Sequence, residues 1–148
     1  MKSKVNMDEL KKEAEYLFRN GYMCSETMVF ILNKYYELGL SQDAVAMSTG
    51  FPFGFGDGGN VCGAVAGVTM CIGKIFGRTE RGDSAYKECC QKVRKLNDKI
   101  IEKYNSCLCP ELIKDYDFKD PKRKDHCRDI LLATIDAFDE IMNNEKSV

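Results

Sequence analysis

The chain contains no tryptophan, a single histidine and three prolines among 148 residues, and almost no net charge, with 22 Lys+Arg against 23 Asp+Glu. Each scarcity excludes something. A balanced charge supplies no basic field to gather nucleic acid or to hold an anionic membrane surface, so neither is expected as a partner. With His126 alone there is no H-E-x-x-H zinc motif and no Ser/His/Asp set, so hydrolytic chemistry has no residues to rest on. The longest weakly charged stretch, 44–73, is broken by Pro52, Asp57 and several glycines, short of the roughly 20 apolar residues a bilayer requires. The opening MKSKVNMDELKKEAEYLF carries charges where an export signal needs an uninterrupted apolar core, so the expected location is the cytoplasm.

Alternating β-branched runs are missing too, as are repeats and linkers, and what remains reads as helix. Leu10, Ala14, Leu17 and Phe18 give a first amphipathic helix that stops at Asn20-Gly21. Cys24, Met28, Ile31, Leu32 and Tyr35 form the stripe of a second. Ser41 caps a short third, and the Gly-rich segment from Gly50 to Gly59 is a loop with apolar anchors. Asn60 is expected to cap a fourth helix over 61–76, apolar or small nearly all round and therefore central. A fifth runs from Ser84 to Tyr104, with Tyr86, Cys89, Val93, Leu96, Ile100 and Tyr104 inward and its lysines, Lys92 included, largely on a solvated face. Asp120-Pro121 opens the last helix by supplying a cap and an N1 proline. The expectation is an all-α single domain over 1–148, a bundle of five or six helices with a Gly-rich loop before a central small-residue helix.

Against these absences stand eight cysteines, an excess for a chain large enough to fold on its hydrophobic core alone. Four occupy one kind of position in the expected helices. Cys24 falls in a first turn, Cys62 just after the Asn60 cap, Cys109 before Pro110-Glu111-Leu112, and Cys127 early in the last helix. Helix N-termini carry partial positive charge and free N–H groups, which favour thiolate, the form that exchanges disulfides or ligates metals. Lys122, Arg123 and Lys124 are expected to add to this around Cys127. A cysteine is also a small hydrophobe, so each thiol taken singly is consistent with simple packing. Packing, however, has no preference for helix ends.

The other cysteines separate by position. Cys71 is turned away from Cys62 by nine residues of helix and reads as packing, and Cys89 and Cys90 read as core thiols. Cys107 is a resolving thiol, an extra ligand or a plain loop residue. His126 neighbours Cys127 but points about 100° away around the helix, which makes it a surface residue rather than half of a Cys/His pair. Gly63 and Gly67 leave one flank of the fourth helix open to another helix, a second copy of the chain or a cofactor. Gly54 to Gly59 matches a dinucleotide fingerprint by letter, yet no strand precedes it and Asp57 would repel a pyrophosphate.

Met23-Cys24-Ser25-Glu26, Gly50-Phe51-Pro52-Phe53-Gly54-Phe55-Gly56, Cys62-Gly63-Ala64-Val65-Ala66-Gly67, Cys109-Pro110-Glu111-Leu112 and Cys127 together resemble the family named for its C_GCAxxG_C_C cysteine motif. The resemblance implies a redox role and implicates Cys24, Cys62, Cys109 and Cys127. Two chemistries stay open. One is thiol–disulfide exchange with a redox partner; in the other the same four thiolates ligate an iron–sulfur cluster or zinc, with Gly63 and Gly67 admitting the cofactor. The spacings of 38, 47 and 18 residues match neither ferredoxins nor zinc knuckles. A helical binding or regulatory module with structural buried cysteines is the alternative.

Overall fold

A computed structural model describes residues 4–144, and among them every regular element is a helix. In chain order these are α1 (Met7–Arg19), α2 (Cys24–Tyr36), α3 (Gln42–Ser48), α4 (Gly63–Phe76), α5 (Ala85–Tyr104), α6 (Cys109–Leu112) and α7 (Pro121–Asn144). That is one more than expected. The addition is the single turn α6, too short to show a period and marked in the sequence only by its proline.

Local chemistry sets most of the ends. Asn6 Oδ1 accepts from the Glu9 amide at 3.1 Å to open α1, and Glu26 reaches back to the Met23 amide at 3.0 Å to open α2. Asp120 Oδ1 accepts from the Lys122 amide at 2.9 Å, the cap expected ahead of Pro121. The expected start of α4 is corrected: the helix begins at Gly63 and Cys62 is its N-cap. Asn60 is occupied elsewhere, its carbonyl accepting from the Cys109 amide at 2.9 Å.

α2 and α4 form the centre, wrapped by α1, α5 and α7. Leu10, Met28, Ile31, Leu32, Ile72, Leu96, Ile100, Leu131, Ile135 and Phe138 are fully buried. At roughly 1.5–3 kcal/mol per large apolar side chain, this core holds the bundle without covalent staples. Tyr36 packs edge-on to Phe138 with ring centroids 4.9 Å apart and donates its hydroxyl to Asp139 at 2.5 Å, so the phenol is buried without an orphaned oxygen.

Three expectations about α5 fail. Tyr86 is exposed, its ring lying under the Arg78 guanidinium at 4.8 Å. Cys90 is exposed as well, about 100° around the helix from the half-buried Cys89. Lys92, by contrast, is buried: its stem crosses apolar surface and its ammonium sits 5.2 Å from the centre of the Phe76 ring. No helix among the described residues is long and apolar enough to cross a membrane.

Candidate functional site

The fourfold cysteine motif is drawn together by packing between elements distant in sequence. Cys24 is the first residue of α2, Cys62 caps α4, Cys109 opens α6, and Cys127 lies in the second turn of α7. Cys127 therefore departs from the helix-end pattern expected of it. A short backbone clasp fixes two of the others: the Cys62 amide donates to the Cys107 carbonyl at 2.8 Å, and Val61 and Leu108 form an isolated antiparallel bridge.

The first glycine of the motif makes room for the thiols. A β-carbon on Gly63 would overlap the Cys24 sulfur, so its absence is what seats that sulfur against the start of α4. One turn later, a β-carbon on Gly67 would lie 2.7 Å from the Ser25 carbonyl oxygen and 2.9 Å from Met28 Cβ. The two glycines thus let α2 and α4 approach until Cys24 and Cys62 face the same space.

That space is a cavity of about 50 Å³, lined by Cys24, Cys62, Cys109 and Cys127. It could hold a small group or a few water molecules. Phe18, Phe53, Leu112 and Ile130 supply apolar wall, and Arg123 and Lys124 supply two cations. Arg123 Nη1 lies 3.8 Å from the Cys127 sulfur, and its Nε donates to the Phe118 carbonyl at 2.9 Å. The guanidinium stacks over Phe118 and Phe53, 4.8 and 5.5 Å from their ring centres, which fixes its direction. Phe53 belongs to a segment where five successive residues, 53–57, have positive φ, of which Phe53, Phe55 and Asp57 are not glycine. Each non-glycine residue held there costs about 1–2 kcal/mol, so strained backbone is stored against the cavity wall.

Burial reverses the expected thiolate character. All four thiols are pushed above the ordinary cysteine range, Cys24 to about 11, with removal from water the main cause in each case. The helix-end effect is present but loses: the Ala64 and Val65 amides pull Cys62 down, and the Ser25 amide pulls Cys24 down, less than burial raises them. Repulsion between the thiolates adds to the rise, with Cys62 feeling Cys24, Cys24 feeling Cys127 and Cys109, and Cys109 feeling Cys127. Cys127 is opposed most strongly by cations, first Arg123 and then Lys124, and Arg123 also reaches Cys109.

A raised Cys24 makes stability depend on alkaline pH. Below the unfolded thiol value near 9 both states hold the proton, so stability is unaffected. From about 9 to 11 the unfolded chain releases it and the native state does not, so stability falls through that window. Urea unfolding at stepped pH is expected to show a decline that is shallower in Cys24→Ser; parallel curves would mean that Cys24 is not held protonated.

The remaining candidates lie outside this cavity. Cys107 turns its sulfur to Asn97, 3.7 Å from both the carbonyl and Oδ1, and meets Cys62 only through backbone. Cys71 is buried in the core, as its rotation from Cys62 implied. His126 is corrected from a surface residue to a half-buried strut: Nε2 donates to the Leu112 carbonyl at 2.9 Å, and the ring stacks on Tyr116, so it ties α6 to α7. Arg123, Lys124 and Phe53 complete the site; the sequence pointed to the first two as cations near Cys127, and to the third only as part of the Gly-rich segment.

The arrangement, four thiols from four helices around one cavity, is that of a motif whose members are far apart in sequence. Residues 22–141 match the family described as "Putative redox-active protein (C_GCAxxG_C_C)". The chain belongs to this family. As a C_GCAxxG_C_C protein it has all four motif cysteines on the cavity and both motif glycines at the α2–α4 contact. No curated protein and no solved structure matches the chain.

Proposed function

We propose that this C_GCAxxG_C_C protein performs two-electron thiol–disulfide exchange with Cys127 as the attacking sulfur and Cys109 as the resolving one. The observation that supports this reading is the shared cavity, in which Arg123 Nη1 lies 3.8 Å from the Cys127 sulfur and its charge also reaches Cys109. A fixed cation favours thiolate, and the attacking form is the thiolate. Cys62 and Cys24 lie deeper and are held more firmly as thiols, which suits them to keep the inner wall apolar.

In the reaction Cys127, its proton released to solvent, attacks one sulfur of a substrate disulfide. That S–S bond breaks, and the first half leaves as a thiolate that takes up a proton. Cys109 then loses its proton and attacks the Cys127 sulfur, which expels the second half as a thiol. The substrate gains two electrons and two protons, and the protein is left with a Cys109–Cys127 disulfide. The same steps reverse when the potentials favour oxidation of a dithiol.

Iron–sulfur or zinc ligation is the other use of four thiols. Among the described residues, no group of three Cys, His, Asp or Glu side chains is arranged to hold a metal ion. The exchange reading uses the sulfurs themselves.

The test is oxidation of anaerobically purified, reduced protein by a disulfide, followed by mass and peptide mapping and by assay of iron, zinc and acid-labile sulfide. Loss of two hydrogens, mapped to Cys109 and Cys127 in metal-free protein, is the expected result. Stoichiometric iron with sulfide would replace this reading with a cluster-based one. Cavity thiols that stay reduced in a folded protein would favour a helical module whose cysteines only pack.

A further inference from the structure

The cations on the cavity wall are not neutralised by the carboxylates around them. On the neighbouring turns Arg19 pairs with Asp125 at 2.7 Å and with Glu15 at 3.1 Å, and Arg128 pairs with Glu15 and Asp129 at 2.8 Å each. The acidic groups of that face are therefore engaged by arginines outside the cavity. Arg123 and Lys124 form no ion pair among the described residues. Arg123 is held by a carbonyl and two rings, and the Lys124 ammonium sits 4.0 Å from the centre of the Phe18 ring. The carboxylate whose field reaches a cavity thiol is Asp57, on an exposed turn, and it acts on Cys109. Two positive charges and one negative charge thus bear on an apolar space that admits only a small group.

A ligand anion that reaches these two cations gains charge-assisted hydrogen bonds that no carboxylate among the described residues already occupies. Resting on the thiol-exchange reading, we infer that the substrate is a small disulfide bearing a carboxylate or comparable anionic group. Arg123 and Lys124 take the anion, and this sets the disulfide sulfur against Cys127. The pair then acts in two ways: Arg123 favours the attacking thiolate and, with Lys124, selects the charge of what it attacks.

Three small disulfides separate these roles: dithiodiglycolate (anionic), hydroxyethyl disulfide (neutral) and cystamine (cationic). The rate with which each oxidises the reduced protein is divided by its rate with a free alkanethiolate, which removes leaving-group differences. The expected order is anion, neutral, cation, with at least about a tenfold spread at low salt that narrows as ionic strength rises. Lys124→Gln is expected to compress the spread. Arg123→Gln is expected to compress it and to slow all three, because Cys127 also loses its cation. Equal normalised rates in the native protein, or a spread unchanged in both variants, would overturn the charge selection while leaving thiol exchange intact. Failure of all three disulfides to oxidise the protein would overturn the exchange reading itself, and the inference with it.

Discussion

Gly67→Ala is expected to destabilise the protein by about 3 kcal/mol or more, whereas Gly73→Ala, in the same helix, is expected to stabilise it by up to about 1 kcal/mol. The added methyl is identical and only its surroundings differ. At 67 it would lie 2.7 Å from the Ser25 carbonyl oxygen and 3.2 Å from Ser25 Cα, which are backbone atoms that cannot rotate aside. Relief requires α2 to move off α4, which opens the core around Met28, Val68 and Leu131. At 73 nothing lies within 4 Å, so the substitution gains helix propensity without a clash. Urea midpoints of the two reduced variants check this. A Gly67→Ala cost below about 1 kcal/mol would mean that the helix spacing is not set by this glycine.

Gly63→Ala separates fold from site. There the methyl would meet the Cys24 sulfur, which can swing away, while the Phe51 carbonyl and Pro52 Cα lie at an uncomfortable but tolerable 3.4 Å. The stability loss is therefore expected to be smaller than at 67, and the displaced sulfur would intrude into or leave the cavity.

What the sequence made legible follows from the range over which each signal acts. Helix stripes and caps are local, so α1, α2 and α7 emerged near their true bounds from Leu10, Met28 and Asp120. The four cysteines that line the cavity could be singled out in the sequence, because their motif settings are local and distinctive. That they would cluster was expected too, but the walls of the cavity they share were not legible, since those depend on how α2, α4, α6 and α7 pack. The electrostatic expectation failed for a related reason. A helix terminus is visible in sequence, but desolvation depends on neighbours such as Phe18 and Ile130, supplied by other elements, and here it outweighs the terminus. His126 was misplaced in the same way, its partners Tyr116 and the Leu112 carbonyl lying in segments the helix phase does not report.

Cys127→Ser is expected to lower the rate of reaction with a small disulfide by about 10³-fold or more, the order seen when a chain loses its nucleophile. The substitution is nearly isosteric in a half-buried position, and the fold does not need the sulfur, so lost reactivity would not be lost structure. Cys109→Ser should behave differently. Attack by Cys127 still releases the first half of the substrate, but no resolving sulfur follows, and the mixed disulfide accumulates with a mass increase equal to the retained half. The pair of variants therefore distinguishes sequential roles from a mere contribution to a thiol pool, in which each replacement would lower the rate by a similar small factor. If Cys109→Ser still completes the reaction and Cys24→Ser traps the adduct instead, the resolving sulfur is Cys24, whose thiolate also lies in the field of Cys127. If Cys127→Ser reacts as fast as the native chain, Arg123 is not activating the attacking sulfur, and the order of attack built on that 3.8 Å contact fails.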